Sequence, residues 1–324
     1  MNEKIIQVIE TKNKILKVDD KFFKDKKIVV ITHSADFDGI CSLEIVRKYF
    51  TEYDLTKDNK KEYILKFIPM NYGDPELPVE DVKGKVVICC DFTPPNIRNL
   101  VEESNLFIHI DHHKSSIESL YDFNPENMIK VYEYDYSACE GVWNYFYSDK
   151  KLPESVRLIS VYDCFKIKEF SEEEFFAYQF GLKYFGKKTG FGGELWSKLL
   201  KDDKPLNKEI FEKGEIIFKY HNDYFNTELM SRASITTTLK TPDDKEYTVL
   251  ALNAPCVFSQ TFRTAYDPDK HDMFLCYYKN SYGEWSNSFY APPRKDIDVS
   301  KIAKSFGGGG HKGAAGCVTK KCLV

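Results

Sequence analysis

An acid and two imidazoles stand side by side in LFIHIDHHK, where Asp111, His112 and His113 follow an apolar, β-type run from Leu106 to Ile110. A strand ending this way delivers oxygen and nitrogen donors to the rim of a sheet, where a divalent cation can be held. The pattern recurs along the first half of the chain. KIVVIT (Lys27 to Thr32) leads into HSADFDGI, which carries His33, Asp36 and Asp38, and KVVICC (Lys85 to Cys90) ends at Asp91. Asp163 closes a later helical pattern. Acids this concentrated at one rim raise each other's pKa unless cations neutralise them. A carboxylate and imidazole set without thiolate suits manganese, iron, zinc or magnesium, and its oxygen-rich share tilts the choice to manganese or magnesium. Two such ions about 3.5 to 4 Å apart clamp a phosphoryl group and lower the pKa of a water between them. The chemistry expected is hydrolysis of a phosphate ester. A lone DxD or His-His is usually solvated or structural; their joint occurrence at successive strand ends favours the metal reading.

The elements that must position these residues alternate. Tyr63 to Ile68 reads as a further strand, helical spacing of Ile40, Leu43, Val46 and Phe50 follows HSADFDGI, and Thr93, Pro94 and Pro95 suit a helix start. Continuous apolar strands alternating with helices predict a mostly parallel sheet covered on both faces, with its ligand site outside the carboxyl ends of the strands. Before the first strand, Ile5, Val8, Ile9, Ile15 and Leu16 fit the apolar stripe of an N-terminal helix. Ser137 and Glu140 have capping-box spacing, Pro153 suits the first turn of the next helix, and helical pattern continues to Phe185. GKKTGFGG, from Gly186 to Gly193, lacks the spacing of a phosphate-binding loop and reads as an ordinary loop.

Asn207 to Arg232 has the periodicity of one long helix. Beyond it, Ser234 to Leu239 and Glu246 to Leu252 alternate like strands around the hairpin turn TPDDK, Phe258 to Tyr266 reads as a short helix, and Met273 to Tyr278 and Glu284 to Tyr290 read as two more strands. A last helix, Val299 to Phe306, runs into GGGGHKGAAG. The fold class expected is α/β and bilobed: residues 1–205 a mostly parallel sheet flanked by helices, 206–232 a connector helix, and 233–324 a smaller mixed α/β domain. In the glycine run, Gly308, Gly309 and Gly310 leave backbone N–H groups able to converge on an anion beside His311, against the simpler reading of a turn ending a helix.

A net charge of -4 argues against binding long duplex nucleic acid, which relies on many Lys and Arg contacts to phosphate. Met1 to Asp20 lacks the apolar stretch of a signal peptide and no run is long enough to span a bilayer, so a cytoplasmic protein with no membrane partner is expected. The nine cysteines are an odd number without a CxxC pair, and Cys89 and Cys90 read as small hydrophobes of a buried strand.

The motifs THSADFDGI, CCDFTP, IDHHK and SVYDC, in that order, and FGGGGHKGAAG near the end, resemble those of the DHH phosphoesterases that carry the DHH-associated C-terminal domain. The likeness runs from about Ile28 to Val318. It implies a manganese-dependent centre in a two-lobed enzyme, with magnesium or another divalent metal as substitute. By motif position, His33, Asp36 and Asp91 would ligate one metal, and Asp38, Asp91, His112 and Asp163 the other. Asp111 would orient an imidazole, His113 would face the scissile phosphate, and a metal-bound hydroxide would be the nucleophile. Gly308, Gly309, Gly310 and His311 would hold the substrate's phosphate or terminal nucleotide. Many relatives place one more residue between the first histidine and the following acid than His33 and Asp36 allow. Many also carry an arginine where this chain has Asn287 to Tyr290; Arg263 or Arg294 would substitute, with Arg263 the candidate, against the simpler reading of each as a solvated charge. The resemblance implies a hydrolase acting on short oligoribonucleotides or 3′-phosphoadenosine 5′-phosphate. A cyclic or linear dinucleotide phosphodiesterase, a polyphosphatase and a non-catalytic nucleotide sensor are the alternatives. The expected partner is a short nucleotide or oligonucleotide, and a homodimer is a candidate assembly.

Overall fold

The computed structural model describes residues 8–10, 16–23, 26–56, 65–166, 171–186, 193–255, 257, 259–292 and 294–324. The chain divides into two compact units, Met1–Ile216 and Ile217–Val324. No helix among the described residues is long and apolar enough to cross a membrane.

The first unit opens on two short strands, β1 (Val8–Glu10) and β2 (Leu16–Val18), paired antiparallel. This corrects the N-terminal helix expected from apolar spacing; Ile5 and Ile15 lie outside the described residues. Strand pairing wins because it is supported from a distance: the Val18 N–H donates to the Tyr145 hydroxyl at 3.1 Å, and Val18 is fully buried. Then come β3 (Ile28–His33), α1 (Phe37–Thr56), β4 (Leu65–Met70), β5 (Val86–Cys90), α2 (Ile97–Glu103), β6 (Leu106–Asp111), α3 (Lys114–Ser119) and β7 (Met128–Tyr132). The helices α4 (Ala138–Phe146), α5 (Glu154–Asp163), α6 (Glu172–Gly186), α7 (Glu194–Leu199) and α8 (Lys204–Asp223) follow. Strand β7 and helices α3 and α7 are not announced by the sequence pattern, and residues 187–192 of the glycine-containing loop lie outside the described residues.

Strands β3 to β7 form a wholly parallel sheet in the order β4-β3-β5-β6-β7. Alternate residues go to opposite faces, as the pleat requires. Val30, Ile88 and Ile108 join one core with Ile45 of α1, Val142 of α4 and Ile159 of α5. Val29, Val87 and Phe107 join another with Leu100 and Val101 of α2. This explains why the strands read as unbroken apolar runs. Chain order reverses between β3 and β5, and the crevice outside their carboxyl ends is where such a sheet binds ligands.

Helices α6 and α8 approach to backbone contact at two glycines. A Cβ on Gly214 would lie 1.7 Å from the Ala177 carbonyl oxygen, and one on Gly181 would lie 1.9 Å from that of Ile210. Gly214→Ala is therefore expected to destabilise the protein by about 1–3 kcal/mol through overpacking, despite the roughly 1 kcal/mol that alanine gains in helix propensity. Urea denaturation measures this, and an unchanged midpoint would count against so close a crossing.

In the second unit the helical path of α8 passes through a π-helical stretch, Tyr224–Leu229, into α9 (Met230–Ala233), in place of one uninterrupted α-helix. Strands β8 (Ser234–Lys240), β9 (Glu246–Asn253), β10 (Met273–Lys279) and β11 (Trp285–Tyr290), helix α10 (Val299–Ser305) and strands β12 (Gly309–Gly310) and β13 (Ala314–Thr319) complete it. A 3₁₀ helix, Ser259–Thr264, lies between β9 and β10. The mixed sheet has the order β12-β13-β11-β10-β9-β8. One face packs on Val299, Ile302 and Ala303 of α10, the other on Met230 and Phe262.

The glycine run ends α10 and starts the next hairpin. Gly307 takes φ 82, its N–H donates to the Lys304 carbonyl at 3.0 Å, and the Gly308 N–H donates to that of Ala303 at 2.8 Å, closing the helix with a left-handed cap. Gly309 and Gly310 then pair with Gly316 and Ala315, so a strand stands where the sequence reads only a turn.

Candidate metal centre

The acids and imidazoles of the first unit's candidate site lie at or just beyond the carboxyl ends of their elements, except Asp38, which opens the helix after β3. His33 is the last residue of β3, Asp36 sits in the loop after it, and Asp38 is in the first turn of α1. Asp91 follows β5, Asp111 ends β6 with His112 and His113 next, and Asp163 is the last residue of α5. The side chains converge. His33 Nδ1 is 3.0 Å from Asp36 Oδ2 and 3.7 Å from Asp91 Oδ2. His112 Nε2 lies 3.1 Å from Asp163 Oδ2, 3.4 Å from Asp91 Oδ1 and 3.6 Å from Asp38 Oδ2. His113 Nδ1 lies 2.8 Å from Asp111 Oδ1 and 3.7 Å from Asp91 Oδ1.

Asp91 is the centre of this arrangement. Its backbone takes φ 55, a left-handed conformation that Asp and Asn tolerate best among residues with side chains. Its N–H is anchored on the Ile110 carbonyl at 3.0 Å. Both carboxylate oxygens are buried without a hydrogen-bond partner, as is Asp163 Oδ2. A buried carboxylate lacking hydrogen bonds is costly unless a cation meets it. His33, Asp36 and Asp91 bring donor atoms within 4.8 Å of one another, as do Asp38, Asp91 and His112. The orphaned oxygens and the hard oxygen and nitrogen donors fit divalent metal ions.

The other two acids are differently held. Asp38 Oδ1 accepts from the Ser137 hydroxyl at 2.6 Å and the Cys139 N–H at 2.8 Å, while Oδ2 accepts from the Ala138 N–H at 2.9 Å. Ser137 stands at the N-cap of α4, but its hydroxyl serves Asp38 and makes no cap bond, which corrects the capping-box reading. Asp111 Oδ1 accepts the His112 and His113 N–H groups at 2.7 and 3.0 Å as well as the His113 ring, and Oδ2 accepts from the Thr93 hydroxyl at 3.0 Å. Asp111 thus orients the motif. His109, on the opposite side of β6 from Ile110, is fully buried between the Tyr132 hydroxyl, the Phe92 carbonyl and Thr93.

Ser137, Thr93 and Cys164, whose Sγ lies 3.9 Å from His112 Nδ1, belong to the site without having been singled out by residue type. Ser137 is 99 residues from Asp38, so no local spacing reveals the pair. Among the other sequence candidates, Gly308 lies in the second unit just before β12, Gly309 and Gly310 form β12, His311 follows it, and Arg263 is exposed in the 3₁₀ helix Ser259–Thr264.

Electrostatics follow from burial and pairing. Burial disfavours charge on His33, but Asp36 and Asp91 outweigh it and raise its pKa to about 10. For His113 burial is likewise outweighed, chiefly by Asp111, and its pKa rises to about 9. Burial, reinforced by Asp91, raises Asp38 to about 7. Burial raises Asp111 as well, yet the hydrogen bond and charge of His113 outweigh it and hold its carboxyl well below the usual range.

These shifts set the pH dependence of the metal-free fold. His33 rises from 6.5 to about 10, so its stabilisation is complete below the unfolded value and is lost as pH climbs through about 10. Asp38 rises from 3.8 to about 7, so deprotonating it also costs stability as pH climbs through about 7. A divalent ion replaces those protons. The rise in melting temperature on adding Mn2+ is therefore expected to be larger at about pH 8.5 than at about pH 6, with protons released on binding. Thermal scans at both pH values check this, and equal shifts would contradict it.

Residues 27–163 match the family described as DHH family, N-terminal domain. An uncharacterized protein of Acanthamoeba polyphaga mimivirus is 28% identical over 310 residues, covering 93% of this chain and 70% of that protein. Among solved structures, the DHH domain of a member of a ribosomal-protein family has a TM-score of 0.57 at 14% identity, covering 92% of this chain and 83% of that one. A pGpG-specific phosphodiesterase from Vibrio cholerae has a TM-score of 0.46 at 13% identity, covering 91% and 93%.

Proposed function

From the match of residues 27–163 to the N-terminal domain of the DHH family, we propose that the protein is a divalent-metal-dependent phosphoesterase. Its proposed substrates are phosphate esters of short nucleotides, such as short oligoribonucleotides or 3′-phosphoadenosine 5′-phosphate, and manganese is the metal of first choice. The observation that carries this reading is Asp91, whose two buried oxygens lack hydrogen bonds and face His33 on one side and His112 on the other. His33, Asp36 and Asp91 would hold one ion; Asp38, Asp91, His112 and Asp163 would hold the second. The chemistry supplied by ions so bound is neutralisation of phosphoryl charge and a lowered pKa for a water.

The chain's own groups do the rest. Asp111 Oδ1 accepts a hydrogen bond from His113 Nδ1–H, so the proton His113 can offer a phosphate oxygen is the one on Nε2. In the metal-free site its pKa is raised to about 9, with Asp111 the main partner favouring the charged ring, a form suited to stabilise charge on the phosphoryl group. Asp38 is held in its orientation by Ser137 and the first amides of α4. In the second unit, Gly309, Gly310, His311 and Arg263 are proposed to bind substrate phosphate; the Gly308 amide is engaged with Ala303.

The test is direct. Incubation with Mn2+ and a panel of dinucleotides, 3′-phosphoadenosine 5′-phosphate, cyclic dinucleotides and polyphosphate, with chromatographic identification of products, should show metal-dependent cleavage of the short nucleotides. No cleavage of any member would replace the enzyme with a nucleotide sensor.

A further inference from the structure

Tyr72 lies two residues beyond β4, in a turn that is built firmly. The Asn71 N–H donates to the Asp74 carboxylate at 2.7 Å, and the Asp74 N–H returns to the Asn71 carbonyl at 3.1 Å. Gly73 supplies the φ of 97 that the turn needs. The loop after β3 is tied to it, the Ser34 N–H donating to the Met70 carbonyl at 3.2 Å and the Ser34 hydroxyl to Asn71 Oδ1 at 3.1 Å.

The residue so held is 59% exposed, yet its ring is not loose. Its centroid lies 5.2 Å from that of buried Phe92, 5.4 Å from that of His33 and 6.4 Å from that of His113, both histidine rings lying edge-on to it. Phe92 in turn stacks on His33 with an interplanar angle of 10°. A single exposed tyrosine is ordinary. One fixed by a hydrogen-bonded turn, backed by a buried ring and set against two histidines of the candidate metal centre is a prepared surface. A rigid aromatic ring offers large contact area at small entropic cost, and every nucleobase has a π face that can stack on it.

We propose that the Tyr72 ring is a stacking platform for a nucleobase of the substrate, making the site select base-bearing phosphate esters over base-free ones such as polyphosphate. This deepens the phosphoesterase reading and rests on it for the identity of the reaction. The platform requires the ring and not the hydroxyl.

The test compares wild type, Tyr72→Ala and Tyr72→Phe in Mn2+. Each is titrated calorimetrically with a dinucleotide carrying a non-hydrolysable methylenephosphonate link and with its abasic counterpart, and each is assayed on the cleavable dinucleotide. Tyr72→Ala is expected to weaken binding of the base-bearing ligand by roughly five- to hundredfold, to raise KM by a similar factor with little change in kcat, and to leave abasic binding unchanged. Tyr72→Phe should restore affinity. Equal binding by Tyr72→Ala and wild type, an equal loss on the abasic ligand, or a Tyr72→Phe variant as weak as Tyr72→Ala would each overturn the proposal. A wild type that binds the dinucleotide through Tyr72 but cleaves nothing would support the platform while removing the phosphoesterase reading.

Discussion

Asp91→Asn is expected to abolish metal-dependent turnover, a fall of at least about a thousandfold, equivalent to about 4 kcal/mol of transition-state stabilisation. Asparagine is the substitution that isolates this effect. It keeps the shape of the side chain and tolerates the left-handed backbone at φ 55, whereas alanine there adds roughly 1–2 kcal/mol of strain. The exchange removes a negative charge whose two buried oxygens have no hydrogen-bond partner. The metal-free variant loses the attraction to His33 and also the repulsion that raises Asp38, two opposing effects, and is expected to stay folded, while the stabilisation on adding Mn2+ is lost. Urea unfolding in EDTA and in Mn2+, beside the activity assay, separates the two. An Asp91→Asn enzyme that keeps a Mn2+-dependent rate near wild type would sink the metal-centre reading.

The second large effect is expected at Asp111. Its Oδ1 holds the His112 and His113 N–H groups and the His113 ring together, and it is the main partner that raises His113 to about 9 against the opposing effect of burial. In Asp111→Asn the amide oxygen can keep these contacts while its NH2 turns to Thr93, so the fold is expected to survive. What is lost is the charge. The pKa of His113 should then fall to its ordinary range or below, and the alkaline limb of the rate profile should move to lower pH. At neutral pH a loss of roughly ten- to hundredfold is expected, the usual cost of removing a group that orients a functional histidine. Asp111→Ala is a different experiment, since it strands two N–H groups in a buried site at about 1–3 kcal/mol each. An unchanged pH profile for Asp111→Asn would mean that His113 carries no catalytic charge.

The residues at the strand ends were legible in the sequence because their chemistry and their position coincide. An acid or imidazole directly after an unbroken β-branched run, as at His33, Asp91 and Asp111, is an expensive place for charge, and the run itself fixes the strand. The parallel sheet followed from the same runs. Residues whose roles depend on distant partners were not legible. Ser137 has the spacing of a helix cap, and only the tertiary fold brings Asp38 near enough to take its hydroxyl. Val8 and Leu16 belong to a pattern that fits a helix as well as a strand, and the choice is made by the pairing of Val8 with Val18 and by the hydroxyl of Tyr145 that Val18 meets. The glycine run shows the remaining ambiguity: four successive glycines permit a helix cap, a hairpin or an anion nest, and Gly307 and Gly308 are committed to the cap.

The grip of α4 on Asp38 has a consequence for how occupancy of the centre can be observed. The amides of Ala138 and Cys139, which donate to the Asp38 carboxylate, open a helix whose Val142, Trp143 and Phe146 lie in the main core of the first unit. Those two protons sit where the charge of the centre meets the hydrophobic interior. Their exchange with solvent deuterium reports local opening at that junction. Slower exchange at Ala138 and Cys139 on metal loading would make the start of α4 a built-in gauge of whether the centre is filled, readable without any substrate.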